Sequence, residues 1–168
     1  AAPASIAALS AALAGDPAPI HVHVAEQTGE VDDCLAATGC RPIEWLTTHA
    51  ALDAVMSCSP QHVIMGMSAE TFWDGADGAA KLKETLEARA GIGVTLGSEA
   101  VEAALAAYGG IRRIAVVTPY MPVGDRNVER YFTDVGYEVV RLKGLKCPSP
   151  MLIAHVSKTE LRDAVIEL

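Results

Sequence analysis

Short apolar runs that alternate with helical stretches restrict the fold of this chain more than any other feature. Residues 92–96, 113–118 and 137–142 are strand-length apolar runs, separated by stretches whose apolar residues fall at helical spacing. Ser98 stands at the start of one helix, with Val101, Ala104, Leu105 and Tyr108 on one face and Gly109-Gly110 at its end. Residues 124–135 form the next, with Val128, Tyr131, Phe132 and Val135 inward and Gly136 as the stop. Ser157-Lys158-Thr159-Glu160 is a capping box that opens a last helix carrying Leu161, Val165 and Leu168. Strands joined by helices of this length imply right-handed crossovers and parallel pairing.

The earlier residues extend the pattern. After the turn at Asp16-Pro17 and Pro19, residues 20–25 read as a strand. Thr28 caps a helix with Val31, Cys34, Leu35 and Thr38 at helical spacing, ended by Gly39. Pro42 opens a second helix through Ile43, Trp45 and Leu46. Residues 54–58 read as a short buried strand closed by Ser59-Pro60, residues 62–67 are apolar and ambiguous, and residues 68–90 are helical with breaks at Gly75 and Gly78. The expected architecture is α/β, a three-layer flavodoxin-like sandwich on a single, mostly parallel sheet. A crossover helix normally delivers another strand, so a last helix at the chain end predicts a fold truncated at its C-terminus.

At 168 residues the chain suits one domain. Its net charge of −8 and lack of a basic cluster argue against nucleic acid and anionic membrane as partners. Cys34, Cys40, Cys58 and Cys147 match no metal-knuckle or CxxC spacing, so reduced thiols in a cytoplasmic protein are expected. Residues 1–14 lack the positive start of a signal peptide, and Ile6, Leu9 and Leu13 mark a surface helix instead.

Two stretches carry residues suited to chemistry. In His21-Val22-His23-Val24-Ala25-Glu26, strand alternation points His21 and His23 to one face and Glu26 to the other. A histidine near a strand end can bind a metal, with a nearby glutamate to move protons, but a hydrolytic zinc site needs three or more protein ligands. The longer run through Glu30-Val31-Asp32-Asp33-Cys34-Leu35 and Arg41-Pro42-Ile43-Glu44-Trp45-Leu46 resembles formiminoglutamate deiminases of the amidohydrolase superfamily. The resemblance implies a barrel strand–helix unit, His23 as metal ligand, Glu26 as general acid/base and His21 near substrate. It covers about the first 50 residues. The family's other ligands are absent, so no bound metal is expected and His21 and His23 are read as strand histidines.

Cys58 is the second candidate, either as a thiol beyond a strand end, where open parallel sheets bind ligands, or as a small buried hydrophobe. Gly66-Met67-Ser68-Ala69-Glu70-Thr71-Phe72-Trp73-Asp74-Gly75, Gly97-Ser98-Glu99-Ala100-Val101 and Arg113-Ile114-Ala115-Val116-Val117-Thr118-Pro119-Tyr120 resemble maleate cis-trans isomerases and arylmalonate decarboxylases of the aspartate/glutamate racemase superfamily. Gly136-Tyr137-Glu138-Val139-Val140 and Gly144-Leu145 continue the likeness. The family works without a cofactor: a thiolate acts at carbon while hydroxyls and backbone amides hold a dicarboxylate. The resemblance implies Cys58 as the catalytic thiol and Ser59, Ser98 and Tyr120 as substrate-binding residues. The family's second catalytic position falls beyond Leu168, and Cys147 does not match it.

The chain therefore reads as a hybrid, residues 1–52 amidohydrolase-like and residues 53–168 racemase-superfamily-like, packed as one domain. The expected function is that of a cofactor-independent isomerase, racemase or decarboxylase for a small dicarboxylate or other anion, weak or inactive alone. A non-catalytic scaffold and a zinc deaminase remnant are the alternatives. An unpaired sheet edge further predicts a homo-oligomer.

Overall fold

The computed structural model describes residues 28–39, 51–66 and 69–168. The expected strand at 20–25, the helix opened by Pro42, the residues His21, His23 and Glu26, and Ser68 lie outside them.

Helix α1, Thr28–Thr38, ends where Gly39 takes a left-handed conformation (φ 76°) and its N–H bonds Leu35 O at 2.9 Å. Where a strand was expected at 54–58, the chain forms a second helix, α2, Ala51–Met56, followed by a turn through Cys58. The run Ala-Leu-Asp-Ala-Val-Met holds strong helix formers and a single β-branched residue, and its Asp53 sits in the favoured first turn. The strand is the ambiguous stretch that follows: β1, Val63–Met65.

A 3-10 turn, Ala69–Phe72, is buried throughout and leads to α3, Gly75–Ala90. Gly75 breaks the helical stretch as expected, at φ 72°, but Gly78 lies inside α3. A side chain at Gly78 would overlap the Trp73 carbonyl, so it serves close packing. Strand β2, Val94–Leu96, leads directly into α4, Gly97–Tyr108. Ser98 does not cap α4. Glu99 reaches back to accept the Leu96 N–H at 3.2 Å, and Ser98 is absorbed into the first turn.

The C-terminal part follows the expected order: β3, Arg113–Thr118, then α5, Pro122–Asp134, then β4, Glu138–Gly144. Helix α5 starts earlier than Gly124 because Pro122 is already suited to a first turn. A short helix, α6, Pro150–Ala154, is capped by Ser149. Helix α7, Lys158–Ile166, opens with the reciprocal bonds of its capping box: Glu160 N–H to Ser157 Oγ at 3.1 Å and Ser157 N–H to Glu160 Oε2 at 2.8 Å.

All strand pairing among the described residues is parallel, but it forms two ladders, β1–β2 and β3–β4, rather than one continuous sheet. On β2 the side away from β1 is met by side chains. Gly93 O faces β1, where it accepts the Val63 N–H at 3.0 Å, so by alternation Val94 and Leu96 face away. Those two N–H groups are taken by the carboxylates of Glu87 (3.0 Å) and Glu99 (3.2 Å), where a further strand would have paired.

One core nevertheless spans both pairs. Phe72 meets Tyr131 edge-on at 5.4 Å between ring centroids, and Phe132 meets Phe72, Tyr131 and Tyr137 at 5.9, 5.5 and 6.1 Å. Leu96, Val94 and Val128 complete it. No helix among the described residues is long and apolar enough to cross a membrane.

Candidate functional site

The chemistry-bearing groups collect where β3 and β4 end. Strand β3 finishes at Thr118, and the chain turns through Pro119 and Tyr120 into α5. The Leu145 N–H bonds Thr118 O at 2.8 Å and the Cys147 N–H bonds Pro119 O at 3.0 Å, so the two strand ends stay together past the last ladder position. The Thr118 hydroxyl donates to Asp125 Oδ1 and accepts the Tyr120 N–H at 3.3 Å. Asp125 lies in the first turn of α5, and burial pushes its pKa above the usual carboxylate value. The Thr118 bond and the positive charges of Lys146 and Arg126 pull the other way without cancelling that effect.

A cavity of about 320 Å³ runs along β3 to this turn. Its walls are mostly apolar (Phe72, Val101, Leu105 and Phe132 among them), and Thr118 and Tyr120 are the lining residues whose side chains bear hydroxyls. That size suits a small ligand with a hydrocarbon body and one polar end.

The structure brings some of the expected site residues here and keeps others away. Tyr120 lines the cavity. Cys58 and Ser59 precede β1, so they sit by its amino end, while Ser98 follows the carboxyl end of its parallel neighbour β2. Neither Cys58 nor Ser59 lines the cavity. The cause is the helix α2: the strand that would have carried Cys58 to a carboxyl end lies after it in sequence, not before. Ser98 is fully buried beside Tyr131 and also does not line the cavity. The Tyr131 hydroxyl donates to Glu102 Oε2 at 3.3 Å; burial first, with the Glu102 carboxylate, pushes its pKa up to about 12, while Ser98 pulls the other way.

Thr118, Asp125 and the buried Cys147 beside Pro119 are the neighbours that sequence reasoning did not single out as site residues. An acid in the first turn after a Thr-Pro strand end was the available signal for Asp125. Among the described residues, no group of three or more His, Cys, Asp or Glu is arranged to hold a metal.

Known proteins place this geometry in context. Solved structures of arylmalonate decarboxylase share the fold. A doubly substituted variant in a liganded form superposes with a TM-score of 0.68 at 20% identity, covering 84% of this chain and 56% of that one. A glycine-to-cysteine mutant in a sulfate-associated form gives a TM-score of 0.64 at 22% identity, covering 74% and 52%. This chain thus spans about half the length of those structures. A formimidoylglutamate deiminase from Pseudomonas aeruginosa is 53% identical over 38 residues, which is 23% of this chain and 8% of that protein. That short match accords with the hybrid character of the sequence. The family model described as arylmalonate decarboxylase matches residues 43–168, three quarters of the chain and all of the strands described above, and the chain belongs to that family.

Proposed function

We propose that this chain carries one side of a cofactor-independent site for a small dicarboxylate, of the decarboxylase or racemase type. The observation that supports this reading is the apolar cavity ending at Thr118 and Tyr120, beyond the carboxyl end of a parallel strand. The hydrocarbon body of a substrate would lie against Phe72 and Phe132, with a carboxylate at the hydroxyl-bearing end. An apolar wall disfavours a charged carboxylate, which would favour its loss as neutral carbon dioxide. The carbon left behind must then receive a proton. No thiol among the described residues lines the cavity, so turnover by the chain alone is expected near background.

The test is to add phenylmalonate or maleate to the chain, follow amide shifts for binding and substrate signals for turnover, and repeat with Tyr120→Phe. Shifts centred on Thr118 and Tyr120 that weaken in the variant support the reading. Substrate shifts elsewhere, or none, defeat it. Turnover clearly above background would show that the expected inactivity is wrong.

The outer edge of β3 is a second consequence. Arg112 O and Thr118 O face β4, so the backbone groups of Arg113, Ala115 and Val117 face the cavity side. Among the described residues no strand pairs with that edge, and an edge of this kind favours self-association. Light scattering is expected to show a dimer or larger species, and a clean monomer would refute it.

A further inference from the structure

The cluster Asp125–Thr118–Tyr120 has a property that the binding reading above does not use. A threonine hydroxyl has one proton to donate and two lone pairs. In Thr118 the proton goes to Asp125 Oδ1, and a lone pair takes the Tyr120 N–H. While Asp125 is ionised, Thr118 therefore has no proton to offer a carboxylate in the cavity, only a remaining lone pair that would repel one.

The carboxylate is held in place from several sides. Thr118 and Gly144 are ladder partners on β3 and β4, and a side chain at Gly144 would overlap the Asp125 carboxylate. Strand β3 presents the uncharged Thr118 hydroxyl, β4 presents the bare backbone of Gly144, the loop after β4 contributes Lys146, and α5 contributes Arg126.

We propose that Asp125 is a positioning residue that controls whether the Thr118 hydroxyl proton is available to an anion in the cavity. Ionised, Asp125 holds that proton and fixes the Tyr120 turn. Protonated, its own O–H donates to Thr118 Oγ1, and the Thr118 proton turns towards the ligand. Binding one anion then takes up one proton from solvent, and no covalent bond changes. The raised pKa of Asp125 brings this switch closer to neutral pH than an ordinary aspartate would. The proposal rests on the anion-binding reading of the site.

The experiment uses the full chain, with sulfate as the probe because it stays a dianion across the range. Without ligand, the Tyr120 amide shift is expected to titrate together with the Asp125 carboxyl carbon, and to be flat in Asp125→Asn. With sulfate, wild-type affinity is expected to fall by about tenfold per pH unit above the Asp125 pKa. Asp125→Asn, whose amide donates permanently to Thr118, is expected to bind with little pH dependence at the acid-limit affinity of the wild type. A flat Tyr120 amide beside a sulfate response overturns the role of Asp125 and leaves the anion site standing. A titrating Tyr120 amide with no sulfate response at any pH overturns the anion site and leaves only the hydrogen-bond relay. An Asp125→Asn variant with the wild-type pH slope overturns the proposal, and if that variant does not fold, the two wild-type titrations decide alone.

Discussion

Where β1 meets β2, three residues on each strand are paired, and the N–H groups on the far side of β2 are held by Glu87 and Glu99. Where β3 meets β4, six positions are paired around an irregularity near Ile114, and the far side of β3 faces an apolar cavity. Among the described residues, the same parallel geometry thus ends in carboxylates on one pair and in no strand partner on the other. On β2 the side-chain carboxylates satisfy two backbone donors. An edge left beside a cavity can receive a ligand or another strand. This difference explains why the polar groups of the site gather on the second pair.

Removing the shared core should have the largest effect. Phe132 is 3% exposed and touches three other rings, so Phe132→Ala should cost about 3–5 kcal/mol in urea unfolding. Backbone and tertiary signals should fall in one transition. If one pair melts while the other persists, the two are separate units and the single-core description is wrong.

Gly144→Ala addresses the β3–β4 pair alone. Its new methyl meets the Asp125 carboxylate, for a cost of about 1–3 kcal/mol. Amide shifts of Thr118 and Tyr120 should move while those of Val94 and Leu96 hold still. Unchanged shifts at Thr118 would show that Asp125 is not wedged between the strand ends.

Glu87→Gln probes the β1–β2 pair. An oxygen acceptor remains for the Val94 N–H but its charge is lost, at a cost of about 1 kcal/mol. Hydrogen exchange should quicken at Val94 and stay unchanged at Val116. Equal protection at Val94 before and after would mean that the edge is closed by something other than this carboxylate.

Cys58→Ala should do least. The thiol is half-buried in a turn before β1, so stability should change by less than about 0.5 kcal/mol and phenylmalonate shifts should be unaffected. Loss of binding or turnover in this variant would restore Cys58 to the site.

Local signals were read correctly where they were complete within a few residues. The Ser157–Glu160 capping box, the Gly39 and Gly136 positions at helix ends, and the inward face of Val128, Tyr131 and Phe132 need no distant partner to be recognised. Residues 54–58 failed the same treatment because a short apolar run has no period that separates helix from strand. Ser98 failed because the helix already begins at Gly97, which puts Ser98 inside the first turn, while Glu99 reaches back to the Leu96 N–H. The Tyr120 turn was legible as a motif, but its partners were not. Thr118, Asp125 and Gly144 are brought together by strand pairing and by a helix turn, and no spacing in sequence announces that.

The sequence by itself determined the alternation of strands and helices, the parallel pairing and the family, because periodicity, caps and runs of matching residues are local properties. Only the tertiary structure decided which end of a strand each functional side chain occupies and which sheet edge is closed. Those outcomes depend on the order in which α2 and β1 fall along the chain and on carboxylates that reach backbone groups three and seven residues away. Hydrogen-bond geometry settles such contests within a few tenths of an ångström, a scale that a linear pattern does not encode.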